Sequence, residues 1–151
     1  DANLSSELGH TKVASQNRQC HCGNYDCLEA YFSGWSLLKT AYDKGLKIEN
    51  IEVLFGLADN NPTAKDIIYS SVGYLAVGIA NLVNTTGITT IILSGKISKS
   101  FDLFSDVLIQ KTKDILHSSF KDRLVITKSN YIDKAAIIGA ANFQINSKKF
   151  N

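Results

Sequence analysis

Apolar side chains recur every three or four residues in several parts of this sequence, and this spacing predicts amphipathic helices. The first such stripe directly follows a cysteine-rich segment and consists of Leu28, Tyr31, Phe32, Trp35, Leu38 and Tyr42. Gly45 comes next and predicts the end of the helix, because glycine readily adopts the left-handed conformation found after helix C termini. The cysteine-rich segment is therefore expected to run straight into a helix.

A second, longer helix is predicted by residues that typically start and end helices. Asn61 can serve as the N-cap, Pro62 suits the first turn, where its missing N–H costs nothing, and Gly87 marks the end. The apolar stripe between them comprises Ile68, Val72, Leu75, Ile79 and Leu82. Gly73 and Gly78 interrupt it, and since glycine weakens a helix interior, we expect close backbone packing at these two positions.

The second half of the chain alternates short β-branched segments with helical patterns. Residues 90–93 and 124–127 predict buried strands, the first closed by a Ser94-Gly95 turn. The helix between the strands carries Phe101, Phe104, Val107, Leu108 and Ile115. A small-residue helix over 134–144, capped by Asp133, follows the second strand. This order predicts a parallel sheet with right-handed crossovers and hence an α/β fold. Two strands are few for a sheet, so we expect further strands before Asp1 or in another chain.

Composition narrows the class of protein. The 151 residues are enough for one domain, and with 44% hydrophobic and 20% charged residues they resemble an ordinary soluble globular protein. A net charge of +2 with scattered lysines does not favour direct DNA binding by this segment. We find no apolar run of about 20 residues, so no membrane span is expected. The chain starts at Asp1 and contains no methionine, which indicates a piece of a longer product.

All three cysteines lie within eight residues, in the segment Cys20-His21-Cys22-Gly23-Asn24-Tyr25-Asp26-Cys27. An odd number of thiols argues against a disulfide framework and fits a reducing cytoplasm. A C-x-C-x4-C loop can place three thiolates around one Zn²⁺ ion when a glycine makes the tight turn, and Gly23 stands where that turn is needed. We therefore predict a structural zinc site.

The fourth ligand is predicted to be His10. His21 lies between two ligands, so the alternation of side chains aims it away from the metal, and we assign both His21 and His117 to the surface. If His10 and Cys27 share one ion, Glu7 and Glu29 come into the same neighbourhood, where carboxylates and an imidazole could hydrogen-bond sugar hydroxyls. For Glu29 alone, a first-turn acid that complements the helix dipole is an equally good explanation.

The segments Glu7-Leu8-Gly9-His10 and Cys20 to Glu29 together resemble the signature of the ROK family, named for repressors, open reading frames and kinases. The resemblance covers nearly all 151 residues. It implies an actin-like, ribonuclease-H-like fold of two lobes, with residues 1–151 forming most of the C-terminal lobe, incomplete without upstream strands. It also implies that Zn²⁺ is held by His10, Cys20, Cys22 and Cys27, and that Glu7, His10 and Glu29 bind sugar.

Two positions bear on which branch of that family this chain resembles. Family members usually have glycine where this chain has Asp26, and aspartate tolerates the left-handed backbone better than most residues. The kinases have paired glycines beside the adenosine, whereas this chain has Gly95 followed by the bulky Lys96. Together with the Cys22-Gly23-Asn24 form of the loop, this turn favours the repressor branch, which carries a winged helix-turn-helix ahead of the sugar domain.

Three hypotheses for function follow. The leading one is a cytoplasmic, non-enzymatic, sugar-sensing and dimer-forming lobe of a regulator of the xylose or N-acetylglucosamine repressor type. It would contact a sugar, a second copy of itself and its own N-terminal portion, and DNA only through that portion. The enzyme alternative is the C-terminal lobe of an ATP-dependent hexose kinase. The third hypothesis is a zinc-dependent scaffold that has lost its sugar response.

Overall fold

The computed structural model describes residues 6–147. Two 3₁₀ turns, Leu8–His10 and Leu28–Ala30, flank the cysteine-rich loop. The helices and strands are α1 (Gly34–Asp43), α2 (Ile51–Gly56), α3 (Pro62–Thr86), β1 (Thr90–Leu93), α4 (Phe101–Ile115), α5 (Ser118–Lys121), β2 (Val125–Lys128) and α6 (Ala135–Ser147). Sequence patterns did not predict α2 or α5, which have six and four residues and are too short to show a periodic stripe.

The first helix begins later than its apolar stripe predicted. The cysteine loop enters the 3₁₀ turn Leu28–Ala30, and α1 starts only at Gly34. Ser33 stops the helix from extending further back, because it forms a capping box in which its side chain accepts the backbone N–H of Ser36. The expectation that the loop runs straight into one helix was therefore wrong, whereas the end near Gly45 is confirmed by its φ of +81°.

The long helix α3 forms the centre of the core. Its predicted ends are confirmed, since the Asn61 side chain accepts the N–H of Ala64 and Gly87 adopts a φ of +73°. By length and composition α3 could cross a membrane, but 56% of its most apolar window is buried inside the protein, as in a core helix. Its main partner is α4, where Phe104 is fully buried among the rings of Phe32, Phe55 and Phe101.

The two strands pair in parallel, as predicted, with Thr90 opposite Val125 and Leu93 opposite Lys128. The second strand is shifted by one residue from its predicted bounds. The prediction of buried strands was wrong for one face of the sheet, where Ile92 is 61% and Val125 51% exposed. Helix α4 packs against the opposite face, so Ile126 is buried.

The last helix, α6, leaves large apolar side chains exposed. The 3₁₀ turn Ile132–Lys134 precedes α6 and includes the backbone of Asp133. The side chain of Asp133 lies outside the described part of the chain, so its role as the cap of this helix stays a prediction. Ile137 and Phe143 on α6 are 72% and 73% exposed. These two apolar side chains are thus not part of the core that the described residues form.

One close contact attaches the cysteine loop to the core. The side chain of Leu28, which follows Cys27, is buried against α3 at Gly78. A Cβ atom at position 78 would lie 2.8 Å from Leu28 Cδ2, closer than any side chain permits. At Gly73 the nearest atom would be Lys111 Cδ at 4.0 Å, an ordinary contact. The predicted close packing therefore holds at Gly78 and not at Gly73.

Candidate functional site

The cysteine-rich loop is a short hairpin that turns at Gly23. Gln19 and Tyr25 form an antiparallel bridge across it. The N–H of Gly23 donates to the carbonyl of Cys20 at 3.0 Å, and the N–H of Cys20 donates to the carbonyl of Asn24 at 2.8 Å. Gly23 has a φ of +91°, a conformation that glycine adopts without strain. The predicted role of this glycine is confirmed.

Four side chains converge at the base of this hairpin. The ligand atoms of His10, Cys20, Cys22 and Cys27 all lie within 4.8 Å of one another. His10 Nδ1 is 3.7 Å from Cys20 Sγ, and Cys22 Sγ is 3.7 Å from Cys27 Sγ. A tetrahedron built on Zn–S bonds of about 2.3 Å has edges of about 3.8 Å. The separations therefore fit one tetrahedral metal ion, and this group of residues could hold it.

Without a cation, these thiols differ in acidity. Burial, with the neighbouring thiols of Cys22 and Cys20, raises the pKa of Cys27 to about 12. A hydrogen bond from the backbone N–H of Asn24 lowers the pKa of Cys22, which is exposed. A bound dication would instead lower the pKa of Cys27, because it favours the thiolate. The Cys27 thiol is thus expected to release its proton when a metal binds.

The imidazole of His10 faces the cluster on one side and Glu29 on the other. Its Nε2 lies 3.7 Å from Glu29 Oε2, while its Nδ1 faces Cys20. The second carboxylate oxygen of Glu29 accepts the indole N–H of Trp35 at 3.1 Å. About a third of each of the His10 and Glu29 side chains is exposed. A ligand in solvent can therefore reach a carboxylate and an imidazole that are already held in place.

Glu7 lies one 3₁₀ turn before His10, and its carbonyl accepts the His10 N–H at 3.0 Å. Its side chain is exposed and lines a cavity of about 340 Å³ that is bounded on the other side by α3 residues, including Asn81 and Leu82. His10 and Glu29 are thus in direct proximity, while Glu7 lines a cavity against α3. Its predicted role with sugar stays a prediction.

Sequence reasoning missed the role of Trp35 and placed it only in an apolar stripe. The indole is half-buried, stacks on the ring of His21 at a centroid distance of 4.0 Å and donates to Glu29. His21 is exposed and is not among the residues that could hold a metal, as predicted. A buried indole N–H requires an acceptor, which is the signal that could have linked Trp35 to a nearby carboxylate.

Asp26 has the left-handed backbone that its position predicted, with a φ of +64°. Its carboxylate is buried and accepts the backbone N–H groups of Gln16, Asn17 and Arg18 as well as the hydroxyl of Tyr31. The Tyr31 hydrogen bond and these N–H donors lower the pKa of Asp26 to about 2, although burial opposes them. Burial and the Asp26 carboxylate raise the pKa of Tyr31, so its hydroxyl stays a donor.

Comparison with known proteins identifies the group to which this architecture belongs. The model of the ROK family matches residues 2–146, nearly the whole chain. This chain belongs to the ROK family. The resemblance seen in the sequence is thereby confirmed.

Relatives in the ROK family include both repressors and kinases. The chain is 25% identical over 143 residues to the xylose repressor of Bacillus subtilis, covering 94% of this chain and 37% of that protein. It is 24% identical over 155 residues to the glucokinase of Thermotoga maritima, covering 92% of this chain and 49% of that protein. The chain thus spans about two fifths to a half of the length of these relatives.

The fold is that of solved ROK proteins. The structure of a ROK family glucokinase from Streptomyces griseus, in complex with glucose and AMPPNP, matches 93% of this chain and 51% of its own chain with a TM-score of 0.79 at 21% identity. A mixed fold with parallel strands and flanking helices was expected from the sequence and is confirmed at this level.

A cavity of about 430 Å³ lies at the carboxyl end of β1, where the ROK resemblance predicts the nucleotide-side turn. It is lined by the residues Leu93, Ser94, Lys96 and Ile97 together with Phe32 and Ser33. Gly95 adopts a φ of +92° there. The bulky side chain of Lys96, which follows Gly95, does not close this space. The turn therefore does not by itself distinguish a regulator from a kinase.

Proposed function

We propose that this chain is the sugar-sensing, dimer-forming lobe of a cytoplasmic ROK transcriptional regulator, organised by a structural zinc ion on His10, Cys20, Cys22 and Cys27. The observation that carries the proposal is the dual position of His10, with one ring nitrogen in the cysteine cluster and the other beside Glu29. A metal that holds one nitrogen fixes the orientation of the other, which prepares the imidazole for a ligand.

The donor set supports a structural and not a catalytic metal. Three thiolates and one imidazole saturate a tetrahedral zinc ion, which leaves no position for an activated water. The ion would supply folding energy and hold the hairpin against residue 10. Sugar hydroxyls would then be bound by Glu7, His10 and Glu29, since carboxylates accept hydrogen bonds from hydroxyl groups.

The regulatory mechanism proposed here is a shift between conformations. A sugar bound next to His10 and Glu29 would favour one arrangement of this lobe relative to the N-terminal part of the protein. That change would alter the DNA affinity of a homodimer, with DNA contacted through the winged helix-turn-helix of the N-terminal part. The xylose repressor relative supports this regulator.

The cavity beside Gly95 favours one alternative, the C-terminal lobe of an ATP-dependent sugar kinase. Its volume of about 430 Å³ and largely apolar walls suit a nucleoside, and a glucokinase is among the relatives. The two functions differ in whether ATP is consumed when sugar is bound.

The deciding experiment is a thermal-shift and turnover assay on the intact protein with xylose, glucose and N-acetylglucosamine, each with and without ATP. The regulator predicts stabilisation by one sugar, no consumption of ATP, and a change in operator affinity with that sugar. Phosphorylation of the sugar would assign the kinase. No stabilisation by any sugar would support the scaffold and contradict both sugar-binding functions.

Glu29→Gln is expected to weaken the binding of the stabilising sugar about tenfold, because it removes a charged acceptor while keeping the shape of the side chain. Zinc content should stay unchanged, since Glu29 is outside the group of ligands. Sugar affinity is measured by calorimetry and zinc by metal analysis. Glu49→Gln, which neutralises an exposed carboxylate elsewhere, is the matched control. Equal sugar affinity in both variants would remove Glu29 from the site.

Trp35→Phe is expected to weaken sugar binding about threefold, because the Glu29 carboxylate loses one donor that orients it while the aromatic stack on His21 is kept. The effect should vanish in a Glu29→Ala background, which has no acceptor for the indole N–H, since the two residues act through one hydrogen bond. Calorimetry on the two single variants and the double variant tests this. Additive losses in the double variant would contradict the link.

A further inference from the structure

The segment between His10 and Cys20 contains none of the four candidate metal ligands, but it connects two of them along the chain. Its residues 16–18 make a turn in which Asn17 has a φ of +60°. The N–H groups of this turn point at one carboxylate, that of Asp26, with distances of 3.1 Å from Gln16, 3.2 Å from Asn17 and 3.0 Å from Arg18. Asp26 directly precedes the ligand Cys27.

Backbone contacts of Asp26 reinforce the same connection. Its N–H donates to the carbonyl of Arg18 at 2.8 Å, and its carbonyl accepts the N–H of Val13 at 2.9 Å. Lys12 Nζ lies 4.0 Å from its carboxylate, and the hydroxyl of Tyr31 donates to it. Tyr31 is itself fixed in the core, where its ring stacks on Tyr74 at 4.1 Å.

We propose that Asp26 is a positioning residue for the metal centre, whose carboxylate holds the segment between His10 and Cys20 against the cysteine hairpin so that all four ligands converge before the ion binds. The inference rests on the proposed metal site. It explains why a residue other than glycine occupies a left-handed position. A side chain there strains the backbone, and several hydrogen bonds to a buried carboxylate can offset that strain.

Two explanations of Asp26 predict opposite effects of Asp26→Gly: a positioning role of the carboxylate, and a need only for a permissive backbone. Glycine relieves the left-handed strain but removes the acceptor for the turn at residues 16–18. If Asp26 positions the ligands, Asp26→Gly lowers zinc affinity by about tenfold, because ordering of the free segment must then accompany metal binding. If the position needs only a permissive backbone, the same variant binds zinc as tightly as the wild type or more tightly.

The test is a zinc titration of the intact protein against a competing chelator, together with the Co²⁺ spectrum, whose thiolate charge-transfer bands report on the ligand set. Asp26→Asn keeps the shape and one acceptor oxygen, so its zinc affinity should fall about threefold, between the wild type and Asp26→Gly. Asn61→Ala, which removes the N-cap side chain of α3 far from the loop, is the control for lost stability and should leave zinc affinity unchanged.

The outcomes separate this inference from the proposed function. Zinc affinity that falls from the wild type to Asp26→Asn and again to Asp26→Gly, with altered Co²⁺ bands in the glycine variant, supports the positioning role. Wild-type affinity in Asp26→Gly, or in Asp26→Asn should the glycine variant not fold, overturns it while the metal site stands. A wild-type protein that binds neither Zn²⁺ nor Co²⁺ overturns the metal site and this inference with it.

Discussion

Replacing Cys27 with serine is expected to release the metal and to lower the melting temperature of the intact protein by about 10 °C or more. Cys27 is 1% exposed and its sulfur lies 3.7 Å from that of Cys22, so a hydroxyl at this position offers a hard, protonated oxygen where the ion needs a thiolate. Structural zinc can contribute on the order of 10 kcal/mol to folding. Scanning calorimetry and metal analysis on the variant measure both losses.

Metal removal provides the control for Cys27→Ser. After treatment with a chelator, the wild type should melt at nearly the same temperature as the variant, because the zinc contribution is then absent from both. A difference that persists undiminished in chelator would mean that serine destabilises the protein by burying a hydroxyl group, and the metal interpretation would be contradicted. The same comparison can be repeated with Cys20→Ser, whose cysteine is also buried.

Gly78→Ala is expected to lower the free energy of unfolding by about 2 kcal/mol, although alanine is the better helix former. The new methyl group would lie 2.8 Å from Leu28 Cδ2, and Leu28 is 4% exposed, so it has little room to move. Displacement of Leu28 would also shift its neighbours Cys27 and Glu29. Denaturant unfolding measures the stability, and the zinc titration described above measures the effect on the loop.

Gly73→Ala is the matched control on the same helix. An added methyl group there makes only an ordinary contact with the Lys111 side chain. The substitution should therefore stabilise the protein by about 0.5–1 kcal/mol, as expected for glycine to alanine in a helix interior. Equal effects of the two substitutions would show that α3 and Leu28 are not closely packed at residue 78.

Local signals in the sequence predicted much of the fold. Asn61 and Gly87 set the ends of α3 because each satisfies the backbone of its own helix terminus, which requires no distant partner. The strand at 90–93 and the helix at 101–115 were likewise found from short-range patterns. The start of α1 was missed because the capping box of Ser33 competed with an apolar stripe that continued across it.

The candidate metal site could be predicted because the types and the spacing of its residues indicate metal binding. Three cysteines in a C-x-C-x4-C arrangement have few uses other than binding a metal, and the structure brings His10 to them. The link from Glu29 to Trp35 could not be derived in this way. It depends on how the 3₁₀ turn Leu28–Ala30 and α1 are oriented, which no periodicity records.

The sequence by itself determined the α/β class, both ends of α3, the turn at Gly23 and the group of residues that could hold a metal, because these depend on neighbouring residues and on the chemistry of side chains. Only the tertiary structure decided that the Asp26 carboxylate accepts hydrogen bonds from the N–H groups of residues 16–18, that His10 faces Glu29, and that one face of the sheet is exposed. These features arise from contacts between segments distant in the chain. Their free energy depends on packing and burial, which local sequence patterns do not specify.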